Sequence, residues 1–120
     1  MLQKRYRLPP RLFNYIYDKG KKFRNEYGML VATPYSSDIT PKFGFVVSKK
    51  IGDAPDRHRM TRLLRVIVHE SVEEFDLKDN GYIYEYIAFK FCDDYHELKK
   101  SFQKLLKKSI EYEKSNTLDN

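Results

Sequence analysis

The segment from Asp53 to Phe75 constrains this chain more than any other. At about 100° per residue, Met60, Leu63, Leu64 and Ile67 fall on one face of a helix. His58, Arg62, Arg65 and His69 fall on the opposite face, flanked by Arg57 and Arg59. Asp53 is placed as the N-cap, Pro55 sits in the first turn where an amide has no partner to lose, and Asp56 makes that turn acidic. A helix apolar along one side must bury that side against another element. The chain is therefore predicted to build a core around this helix and to present guanidinium groups on its outer surface.

The flanking residues supply the other layers. From Lys42 to Ser48, Phe43, Phe45 and Val47 alternate with Gly44 and Val46, a strand pattern ended by Gly52. After Pro9 and Pro10, residues Leu12, Phe13, Ile16 and Tyr17 form one helical stripe that Gly20 stops. The chain from Phe23 to Thr33 is β-like, and Pro34 to Pro41, with Ser36, Ser37 and Asp38, reads as a loop. Asp79, Asn80 and Gly81 make a turn, Tyr82 to Phe91 a strand, and Leu98, Phe102, Leu105, Leu106 and Ser109 mark a final helix. No repeat or low-complexity linker divides the 120 residues, so one domain is expected over 1–112, with 113–120 as a solvated tail.

Composition narrows the function classes. With 41% hydrophobic and 15% aromatic residues the chain has the apolar material of a globular domain rather than a disordered one. No apolar run approaches the roughly 18 residues of a membrane span, and residues 1–20 lack the apolar core of a secretion signal. Cys92 is the single cysteine, so the expected location is the cytoplasm, with no membrane partner. Charge is segregated: residues 1–24 carry eight Lys or Arg against Asp18 alone, and 42–65 carry seven against Asp53 and Asp56. Residues 66–98 carry nine acidic side chains against Lys78 and Lys90. A basic block interleaved with Tyr and Phe suits nucleic acid, because cations neutralise phosphates while aromatic faces stack on unpaired bases. The plainer reading is a solvated cationic surface.

The residues offer little for protein-based hydrolysis. His58 and His69 lie eleven positions apart on one helix, roughly 16 Å, too far to share a metal or a phosphate. Asp53 and Asp56 suit helix capping better than a metal site, His96 beside Asp94 and Glu97 reads as a surface residue, and Cys92 as a small buried hydrophobe. No catalytic and no metal-ligating residue is assigned.

The stretch Phe43 to Arg65, FGFVVSKKIGDAPDRHRMTRLLR, resembles the signature of the bacterial ribonuclease P protein family, roughly G-x-x-V-S-K-K-V-G-x-A-V-x-R-N-R-x-K-R-x-x-R. Gly44, Val47, Ser48, Lys49, Lys50, Ile51, Gly52, Ala54, Arg57, Arg59, Arg62 and Arg65 match in spacing. RLPPRLFNYIYDKGKKF is similar to the family's opening helix and YHELKKSFQKLLKKS to its last, so the resemblance spans residues 7 to about 110. His58 stands where the family has Asn, Thr61 where Lys is usual, and Pro55 and Asp56 replace an apolar residue and its neighbour.

The resemblance implies an α+β domain of order αβββαβα, with a central mixed sheet and a left-handed βαβ crossover, like the second domain of a ribosomal small-subunit protein. It implies that the chain assists 5′ leader removal from precursor tRNA, while the catalytic centre, with bound Mg2+, belongs to the ribonuclease P RNA. It assigns Lys49, Lys50, Arg57, His58, Arg59, Arg62 and Arg65 to the surface that docks on that RNA, and Phe13 and Tyr17 to a cleft for the single-stranded leader. Tyr27, Phe89 and Lys90 are added as candidates to complete the cleft. Two aromatics at i and i+4 fit a buried stripe as well as a cleft, and both readings stay open for Phe13 and Tyr17. A ribosome-associated or general RNA-binding protein of the same fold, with no part in cleavage, is the alternative function.

Overall fold

The structure, a computed structural model, describes residues 3–35 and 39–119, with side chains as far as residue 115, so the expected loop at Ser36, Ser37 and Asp38 lies outside the described residues. The elements are α1 (Phe13–Lys19), β1 (Lys21–Arg24), β2 (Gly28–Pro34), β3 (Lys42–Val46), α2 (Ala54–Glu74), β4 (Tyr82–Ala88) and α3 (Tyr95–Asp119), with short 3₁₀ turns at Lys4–Tyr6 and Pro10–Leu12. This is the order αβββαβα. The strands form one sheet in the order β1-β2-β4-β3, antiparallel except for the β3–β4 pair. Helix α2 makes the crossover between the parallel pair, and β4 inserts between β2 and β3.

Alternation gives the sheet two distinct faces. Leu30, Ala32, Phe43, Tyr84, Tyr86 and Ala88 join Met60, Leu64, Ile67, Val68 and Val72 of α2 and Leu98, Phe102, Leu105 and Leu106 of α3 in the main core. Phe43 stacks on Tyr84 with ring centres 4.7 Å apart. On the other face, Met29, Val31 and Ile83 pack against Leu8, Leu12 and Ile16, a smaller core under α1. Gly44 belongs to this second face: a Cβ there would lie 2.4 Å from Cζ of Phe13, so the missing side chain lets that ring lie on β3.

The helix ends follow the expected chemistry. The Asp53 side chain accepts from the Asp56 amide at 3.0 Å and caps α2. At the other end the Leu77 amide donates to the Val72 carbonyl at 2.9 Å, with Asp76 left-handed at φ 53 where glycine is usual. Gly81, at φ 72, supplies the turn into β4.

Several boundaries differ from expectation: β3 ends at Val46 rather than Ser48, and the run expected to be β-like from Phe23 to Thr33 is broken by the turn between β1 and β2. Strand β4 ends at Ala88 rather than Phe91. Helix α3 continues to Asp119 through the stretch read as a tail, because Glu113 is half-buried against the sheet end and hydrogen-bonds Tyr82; the polar residues around it form a helix's outer side. Among the described residues no helix is long and apolar enough to cross a membrane.

Candidate nucleic-acid interface

The basic surface begins where β3 runs into α2. Lys49 and Lys50 stand exposed in a turn closed by the Ile51 amide donating to the Ser48 carbonyl at 3.0 Å. From α2, which the main core fixes in place, His58 and Arg62 project into solvent and Arg65 is half-buried. Arg57 is half-buried too, and its Nε is buried without a protein partner. Val47, Arg57, His58 and Thr61 line a shallow concavity of about 240 Å³. Arg59 differs from its neighbours: it pairs with Asp56, reaches Asp93 at 3.6 Å and lies 5.8 Å over the Phe91 ring. The sequence-assigned set is thus brought together on one rigid surface, with Arg59 already neutralised. The Asp93 partner was hidden from sequence reasoning because it comes from a separate segment.

The five aromatic and cationic cleft candidates fall into two groups. Phe13 is half-buried in the smaller core, while Tyr17, one turn on, is 46% exposed. Lys22 lies over the Tyr17 ring at 4.5 Å and donates to the Tyr17 carbonyl at 2.7 Å. Tyr27, Phe89 and Lys90 form the second group: Tyr27 reaches α3, while Phe89 is 45% exposed. The Phe89 amide donates to the Tyr27 carbonyl, the Tyr27 hydroxyl donates to Glu97 at 3.2 Å, and Lys90 sits over the Tyr27 ring while pairing with Glu26. Burial, then the Glu97 carboxylate, raises the Tyr27 hydroxyl above its ordinary value, and the Glu26 hydrogen bond raises Lys90.

Sequence reasoning passed over Glu85. It is the one charged residue in β4, 4% exposed, on the face covered by α1, and its Oε1 has no hydrogen-bond partner. Burial raises its carboxyl above the ordinary range, with Lys22 opposing. The signal was legible: a lone carboxylate in an otherwise apolar strand.

His96 is exposed, and Cys92 is buried with its thiol pushed up by that burial. Among the described residues no three His, Cys, Asp or Glu side chains gather to hold a metal ion.

Comparison with known proteins adds to this geometry. The profile of the family Ribonuclease P matches residues 2–110. The ribonuclease P protein component of Caldanaerobacter subterraneus is 36% identical over 104 residues, covering 84% of this chain and 85% of that protein. The component from Bacillus velezensis is 34% identical over 107 residues, covering 88% and 89%. The solved ribonuclease P protein of Thermotoga maritima superposes with a TM-score of 0.70 at 26% identity, covering 85% of this chain and 96% of that one. A profile match across nearly the whole length, relatives above 30% identity and the same architecture lead to one conclusion: this chain belongs to the family of bacterial ribonuclease P protein components.

Proposed function

We propose that the chain is the protein subunit of a ribonuclease P ribonucleoprotein, assisting removal of the 5′ leader from precursor tRNA in the cytoplasm. The observation that carries the mechanism is the rigid cationic surface formed by the β3–α2 turn and the outer side of α2. Lys49, Lys50, Arg57, His58, Arg62 and Arg65 would meet backbone phosphates of the ribonuclease P RNA, releasing counterions, with guanidinium groups giving paired hydrogen bonds to phosphate oxygens. Arg59 contributes least to this contact because Asp56 already neutralises it.

The leader would pass along α1, where the exposed Tyr17 and the half-buried Phe13 offer rings for stacking on unpaired bases. Phe89, exposed, could extend this track as it stands, whereas Tyr27 and Lys90 extend it only by giving up their contacts to Glu97 and Glu26. The phosphodiester step belongs to the RNA partner and its Mg2+. Asp53 and Asp56 do not fit a metal role, since Asp53 caps a helix and Asp56 pairs with Arg59.

Reconstitution tests the proposal: the chain is added to ribonuclease P RNA at low magnesium and cleavage of precursor tRNA is followed. Stimulation that is lost at high salt is expected. Binding to RNA without stimulation at any protein concentration would favour a general RNA-binding role.

A further inference from the structure

Across the face of the sheet under α1, one row of neighbouring residues runs Lys22, Val31, Glu85, Gly44 from β1 to β3. The two ends of this row meet two of the three aromatic residues of α1. The Phe13 ring lies on Gly44, and the Lys22 ammonium lies under the Tyr17 ring. Glu85 sits between those ends with its Oε1 buried and without a hydrogen-bond partner. A buried acceptor left unmatched costs free energy unless a ligand completes it. Lys22, whose charge acts on Glu85, donates to the Tyr17 carbonyl and lies against its ring. An apolar residue would fit a strand otherwise written as Tyr, Ile and Ala without that cost.

We infer that Glu85 is a specificity-determining residue, whose carboxylate accepts N–H donors from the edge of one unpaired base held between Phe13 and Tyr17. A carboxylate has acceptors only, so it selects bases by their donors. Guanine presents two adjacent donors, N1–H and the N2 amino group, that match two carboxylate oxygens. Adenine and cytosine present an amino group beside a ring acceptor that a carboxylate repels, and uracil presents one imino donor between two carbonyls. Stacking supplies affinity that is indifferent to sequence, whereas the carboxylate reads the edge. Lys22 at the end of the row offsets the repulsion between Glu85 and the incoming phosphates.

The inference rests on the proposed leader track, and the experiment separates the two. Holoenzyme is reconstituted with precursor tRNAs carrying each of the four bases in turn at successive leader positions, and affinities are measured beside that of mature tRNA. The wild type is expected to favour guanine at one position on the order of tenfold. Glu85→Gln, nearly equal in volume, should reduce that preference to within about twofold, as should Glu85→Ile, with thermal melts showing whether each variant is folded. If only Glu85→Gln folds, that variant decides. Equal affinity for all four bases at every position, or a guanine preference undiminished in the folded variants, overturns the assignment of Glu85. A wild type that does not distinguish precursor from mature tRNA overturns the leader track itself, and this inference with it.

Discussion

Phe13 and Tyr17 sit one turn apart on the same helix, yet truncating them should move different measurements. Phe13 is half-buried beside Leu8 and over Gly44, so Phe13→Ala is expected to lower stability by about 1–3 kcal/mol, less than a fully buried ring, together with any loss of leader binding. Tyr17 is exposed, so Tyr17→Ala should leave a thermal melt nearly unchanged while weakening precursor affinity by about 1–3 kcal/mol. A large drop in melting temperature for Tyr17→Ala would place that ring in the core. At this scale the sequence was only partly legible. The i, i+4 spacing gave both rings correctly as neighbours, but the extent of burial depends on the missing side chain of Gly44, thirty-one positions from Phe13 along the chain. Glu85 was overlooked for a related reason: strand alternation shows that a residue faces one side of a sheet without showing what covers that side.

Helix α2 was the most legible element, because its cap, its first-turn proline and its apolar stripe are all local signals. Its electrostatics were less so, since Arg59 is quenched by Asp93 from beyond β4 as well as by Asp56 within the helix. The consequence can be measured as a salt dependence. Arg62→Ala should reduce the slope of log K against log salt for RNA binding by about 0.7–0.9, whereas Arg59→Ala should change it by clearly less. Equal changes would mean that Arg59 leaves its carboxylates on binding. The far end of the helix supplies a stability test. Asp76 holds a left-handed conformation at φ 53, so Asp76→Gly should raise the unfolding free energy by about 0.5–1 kcal/mol, read from denaturant midpoints.

For the whole molecule, stability should vary with pH at a specific place. Burial pushes the Glu113 carboxyl, packed near the sheet end, up to about 7 from an ordinary value of 4.5. Between those values the folded chain holds a proton that the unfolded chain has lost. The contribution of this group to stability therefore falls as pH rises from about 4.5 to 7 and is constant above that. Glu113→Gln should remove that slope from unfolding midpoints measured at pH 5 and pH 7.5. The element order was recoverable from the family resemblance, but strand order was not a local property: Asn25 and Gly28 mark the β1–β2 turn, where the Asn25 Oδ1 accepts from the Tyr27 and Gly28 amides, yet nothing near Tyr82 announced that its strand would lie at the centre. That central placement of β4 has a consequence for biosynthesis. Its partners on either side, β2 and β3, begin 54 and 40 residues earlier and do not pair with each other. As the chain emerges from the ribosome, the sheet stays split until β4, ending at Ala88, has been translated. Helix α2, complete at Glu74, then waits on the order of a second, at roughly 5–20 residues per second, for β4 and longer for α3, whose apolar residues complete the core around it.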